Sequence, residues 1–98
     1  MVELEFHPEA DAEYSDAILW YAKRSATASV RFEIEVERVL DRILEAPESF
    51  SRYDDRHRFV LVNRFPYSVV YQVTAVHVFI VAIAHSSRLP GYWQDRVS

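Results

Sequence analysis

The chain has no cysteine and a single glycine, Gly91, in 98 residues. Without cysteine there is no disulfide and no thiolate metal site, so the core must stand on packing alone. With one glycine there is no phosphate-cradling glycine loop, and nearly every tight turn lacks the residue best suited to positive φ. No run reaches the ~18 apolar residues of a spanning helix; the longest apolar-dominated stretch, Val69 to Ala84, is broken by Gln72, Thr74 and His77. There is no HExxH pattern and no His, Asp and Glu set at metal-ligand spacing. A site made from His57, His77 and His85 requires three strands to converge, so neither metal nor cofactor is expected. Met1 is followed by Glu3 and Glu5 rather than by a basic region and an apolar core. The expectation is one cytoplasmic domain over residues 1–98, with no membrane partner.

The charge that is present is uneven. Residues 1–50 hold twelve acids against five bases, net −7, and residues 51–98 hold six arginines against three acids, net +3. The acids suit the solvent faces of helices. The basic half suggests a surface for an acidic partner, although +3 is far below the footprint of a protein that lives on phosphate contacts.

Periodicity sets out the elements. Val2-Glu3-Leu4-Glu5-Phe6 alternates as a half-buried strand does. Pro8 suits the first helical position, and Glu9, Asp11 and Glu13 favour the positive end of the helix dipole. Ala10, Tyr14, Ala17, Ile18 and Tyr21 recur at helical spacing to about Lys23. Ser25 or Thr27 can cap a second helix, whose apolar stripe is read as Val30, Ile34, Val36, Val39, Leu40, Ile43 and Leu44, ending near Glu45 before Pro47. Arg58 to Val62, Tyr67 to Val73 and Val78 to Ala84 are rich in Val, Ile, Phe and Tyr and read as strands. The fold class is α+β in the order β-α-α-β-β-β. A helical hairpin packs on a mainly antiparallel sheet, and a short C-terminal tail, Tyr92 to Ser98, forms at most a helical turn.

The segment after the last strand holds the chemistry. His85, Arg88 and Tyr92 combine a group that titrates near neutrality, a planar cation and a phenol, a set able to cleave RNA by activating a 2′-hydroxyl. The same three residues also suit a structural or partner-binding role. Arg56, Arg58 and Arg64 flank the first hairpin as a solvated edge or an anion-facing patch. Tyr67, Tyr71 and Trp93 could stack on bases, but alternating strand positions place the two tyrosines in core or groove lining.

Phe6-His7-Pro8-Glu9-Ala10, Ala46-Pro47, the run from Arg64 to Val73, and His85 with Arg88-Leu89-Pro90-Gly91-Tyr92-Trp93 occur in this order. In these motifs, over nearly its whole length, the chain resembles the RelE/ParE superfamily of toxins from bacterial type II toxin–antitoxin systems, often labelled plasmid stabilisation proteins. The resemblance implies the fold read above. It also implies one of two activities: mRNA cleavage on the ribosome by the RelE-like branch, or inhibition of DNA gyrase by the ParE-like branch. Where the ribonuclease branch has an arginine early in the third strand, this chain has Ser68. Phe59 and Leu61 replace lysines of the second strand, and Ser86 replaces an arginine after the last. Only Tyr92 matches the ribonuclease tyrosine, although some ribonuclease members use a histidine at a position like His85. Missing cations mean missing stabilisation of a phosphoryl-transfer transition state.

The ParE-like reading is therefore preferred: a non-enzymatic toxin that contacts gyrase through Arg58, Arg64, His85, Arg88, Tyr92 and Trp93. The alternatives are a ribosome-dependent mRNA interferase built on His85, Arg88 and Tyr92, and an inactive relative that only binds an antitoxin. Either branch implies a cognate antitoxin lying along the hairpin and sheet edge, with Trp20, Tyr21 and Phe32 as its apolar anchors. It also leaves room for a homodimer or a toxin–antitoxin hetero-oligomer.

Overall fold

A computed structural model describes residues 3–97. It contains β1 (Glu3–Phe6), α1 (Pro8–Ala22), α2 (Ala26–Glu45), β2 (Arg58–Leu61), β3 (Tyr67–Val73), β4 (His77–His85) and a 3-10 turn at Gln94–Arg96. The order is the one the periodicity predicts. Val2 and Ser98, assigned above to the first strand and the tail, lie outside the described residues. No described helix is long and apolar enough to cross a membrane.

Local chemistry explains the helix ends. His7 caps α1, its Nδ1 accepting the Glu9 N–H at 3.0 Å, and Pro8 follows where no N–H is needed. Ser25 caps α2 by accepting the Ala28 N–H at 3.2 Å. The buried face of α2 is Phe32, Val36, Val39, Leu40 and Ile43. Val30 and Ile34, placed above in that stripe, are instead 57% and 45% exposed. At 3.6 residues per turn they stand roughly 240° and 200° round the helix from Val36. Phe32 takes the core position that the stripe had given them.

The sheet order is β1-β4-β3-β2. β1 runs parallel to β4, and the other pairs are antiparallel. Val70 faces Ala82 while Tyr71 faces Ile80, so Val81 is an extra residue in β4. This bulge lets Ile80 and Ile83 both join the helix-side core, while Val81 and Ala82 join a second cluster on the open face. Trp93, 3% exposed, covers that second cluster. In the β2–β3 turn the positive φ falls on Arg64, at 68°. The long loop before β2 is pinned by a buried His57. Its Nδ1 lies 2.9 Å from Asp54 Oδ1, and its Nε2 lies 3.0 Å from the Gln72 amide. Gln94 donates to the same Asp54 at 3.0 Å, tying the tail to the loop.

Candidate functional site

A groove of about 470 Å³ lies between α1 and the end of the β3–β4 pair. Trp20 and Tyr21 of α1, Tyr67 of β3, and His85, Arg88 and Tyr92 at the end of the chain line it. The three residues with catalytic potential therefore converge. They share the groove with two of the three residues proposed as antitoxin anchors.

Their hydrogen bonds restrict what they can do. His85 sits edge-on to Tyr67, with ring centroids 5.0 Å apart. Its Nδ1 accepts the Ser87 N–H at 3.0 Å and faces the Ser87 hydroxyl at 2.8 Å. A ring nitrogen that accepts a backbone N–H carries no proton, which assigns the proton of the neutral ring to Nε2. No unengaged lone pair is left to act as a general base.

The Tyr92 hydroxyl donates to Glu13 Oε2 at 2.6 Å. Burial and the Glu13 carboxylate both push the phenol well above its ordinary range. Arg88 is exposed and stacks on the Tyr92 ring, its guanidinium carbon 3.9 Å from the centroid. This cation is the member of the trio best placed to meet a partner.

Glu13 organises the far wall. Arg96 approaches it with two nitrogens, each at 2.9 Å, and Ile83 donates its backbone N–H at 3.0 Å. Burial raises the Glu13 carboxyl, but the bonds from Arg96, Tyr92 and Ile83 outweigh that and hold it below its ordinary value. The bond to Glu13 also raises Arg96. Arg96 donates in addition to the Val81 carbonyl at 3.1 Å. β1 stops pairing with β4 at Phe6 opposite Ile80, so beyond that point the Glu13–Arg96 pair takes over the edge groups a strand would have bonded. Sequence reading assigned Glu13 only to the helix dipole, and no short-range pattern signals a partner 83 residues away.

The remaining expected site residues scatter. Arg58 donates to the Phe50 carbonyl at 2.7 Å and pairs with Tyr71, four residues along β3 from Tyr67, the partner of His85. Arg64 lines a separate hollow of about 610 Å³ beside Val30 and Ile34 of α2. Trp93 is in the core, its bulk buried by the open face it covers, and is not available to a target. Phe32 is fully buried against Tyr14, Tyr21, Phe65 and Tyr67, which removes it from the exposed anchors. Trp20 remains 50% exposed, with the Arg24 guanidinium 3.5 Å above its ring. Tyr21 is half-buried between Trp20 and the core.

Ser68 and Ser86 border a shallow apolar hollow of about 230 Å³ on the open face, in which Arg88 is the sole arginine. The three-histidine metal site does not form. His57 is tied to Asp54, and His77 and His85 mark opposite ends of β4. Glu3, Glu5 and His77 do bring their ligand atoms within 4.8 Å of one another.

No curated protein matches the chain significantly. Among solved structures with a similar fold is a chain of the chromosomal ParDE TA system from P. aeruginosa, with a TM-score of 0.75. It is 15% identical, and the match covers 87% of this chain and 96% of that one. A family model described as the ParE toxin of type II toxin–antitoxin system, parDE, matches residues 4–90. With nearly its whole length matched, this chain belongs to the ParE toxin family of type II toxin–antitoxin systems.

Proposed function

We propose that this toxin acts in the cytoplasm by protein–protein contact with DNA gyrase rather than by cutting RNA. The observation that carries this reading is the state of the groove. His85 has its lone pair engaged by the Ser87 N–H, and the Tyr92 phenol is committed to Glu13. An interferase needs a base to take a 2′-hydroxyl proton and cations to hold the charged transition state. The groove's imidazole is engaged, Arg88 is the sole arginine or lysine in its lining, and serines stand at the positions where the resemblance expects arginine. Arg88, Trp20 and the half-buried aromatics make a contact surface instead.

A cognate antitoxin neutralises the toxin. Support comes from the family and from the solved neighbour, which is itself part of a ParDE system. Trp20 and Tyr21 line the same groove as His85 and Arg88, so an antitoxin segment anchored on the aromatics covers Arg88 and blocks access of the target.

The test is induced expression in bacteria, with plasmid supercoiling and message integrity read from one culture. Relaxed or broken DNA with intact message supports gyrase as the target. Rapid message cleavage with normal topology overturns it in favour of an interferase, a reading that the convergence of His85, Arg88 and Tyr92 keeps in play. Unimpaired growth with intact antitoxin binding identifies an inactive relative.

A further inference from the structure

A second cluster of chemically capable side chains lies at the other end of β4. Glu3 pairs with His77 and Glu5 with Phe79 across the parallel β1–β4 ladder. Residues two apart on a strand share a face, so both carboxylates stand beside the imidazole. His77 Nε2 is 3.5 Å from Glu3 Oε2 and 3.1 Å from Glu5 Oε1. One ligand atom from each of the three lies within 4.8 Å of the others. Among the described residues, His77 is the only basic group that pairs with either glutamate. Neighbouring carboxylates repel one another, and that repulsion favours a bound cation. A divalent cation offsets it fully.

We propose that Glu3, Glu5 and His77 form a binding site for a borderline divalent transition cation, zinc foremost, that fastens β1 to β4. One imidazole with two carboxylates is a mixed nitrogen–oxygen set of the kind zinc accepts, with water completing a tetrahedron. Magnesium and calcium favour oxygen alone and are poorly served by it. The three side chains are exposed or half-exposed, so modest rotamer changes can draw their donors to the ~2.0–2.2 Å of zinc coordination. The strands fix the backbone positions in advance, which reduces the ordering cost of binding. β1 is a four-residue edge strand, and a metal bridge to its neighbour supplies a tie that four residues of ladder lack. The site is independent of the groove and of the choice of cellular target. Sequence spacing hides it, because its ligands come from β1 and β4, which are far apart along the chain.

The experiment uses the untagged full-length chain, freed of metal with EDTA, titrated with zinc chloride or magnesium chloride by calorimetry and followed by thermal melting. Expected are one zinc per chain, a melting temperature that rises with zinc and not with magnesium, and shifted His77 ring signals in NMR spectra. His77→Ala and Glu5→Gln each weaken zinc binding by roughly tenfold or more. Glu5→Gln preserves side-chain volume and serves as the reference should His77→Ala lower the metal-free melting temperature. Absence of saturable zinc binding overturns the proposal. So does zinc binding of equal strength in both variants, because the metal then sits on other groups.

Discussion

Glu13 accepts four hydrogen bonds, from Tyr92, from two nitrogens of Arg96 and from the Ile83 backbone. Its carboxyl is held below the ordinary value in the folded chain. A depressed carboxyl contributes stability that is complete above its unfolded value and lost as the pH falls through the folded one. Acid unfolding of the wild type should therefore show a component that Glu13→Gln lacks. At neutral pH the same substitution leaves the Arg96 guanidinium, 10% exposed, without its main counter-charge. Breaking such a pair costs on the order of 3 kcal/mol, measurable by urea unfolding. Tyr92→Phe removes only the phenol's bond to the charged acceptor and should cost roughly 1.5–3 kcal/mol by the same assay. A loss of toxicity in Tyr92→Phe that follows this loss of stability marks a structural residue. A loss of toxicity without destabilisation marks a functional one. Phe32→Ala empties a fully buried site and should cost about 3–5 kcal/mol. Trp20→Ala should leave stability nearly unchanged and weaken antitoxin binding.

Among the elements, the helices and strands were legible because their apolar periods are long. The exceptions each have a cause. Val30 and Ile34 are apolar enough to extend the α2 stripe on paper, but only angular position separates them from Phe32. A charge at Ile34, as in Ile34→Lys, should change stability by no more than about 0.5 kcal/mol, whereas Val36→Lys should prevent folding. The Val81 bulge left no mark in the sequence, since every residue near it is apolar and a shift of one position alters no pattern. It moved Ile83 into the helix-side core and gave the open face the platform that Trp93 covers. The buried Trp93 and the Glu13–Arg96 pair were illegible for a related reason: their partners are distant in sequence. The lack of glycine was a readable warning about the β2–β3 turn, where Arg64 carries the positive φ. Arg64→Gly should relieve that backbone and stabilise the chain by about 0.5–1 kcal/mol. A neutral or opposite change in the unfolding midpoint would mean that Arg64 side-chain contacts outweigh the strain.

At the scale of the whole molecule, one groove collects residues expected of two different partners. Contact inhibition and RNA cleavage make opposite demands on it. If contact is what matters, His85 serves as a ring packed on Tyr67 and held by Ser87, and Arg88 serves as an exposed charge. His85→Gln should then keep most of the toxicity, because it retains the bulk at the groove floor. Arg88→Glu should abolish toxicity while leaving stability nearly unchanged, since an exposed residue stacked on one ring contributes little to folding. Cleavage predicts a different pair of outcomes. His85→Gln removes the imidazole that lines the groove and should lower the rate by at least about a hundredfold, and both variants should lose toxicity together. Growth curves of the two variants in one induced host, with circular dichroism to confirm folding, separate the alternatives. Toxicity that survives at His85 and fails at Arg88 fits a surface that binds, because only a contact mechanism can lose its charge and not its imidazole.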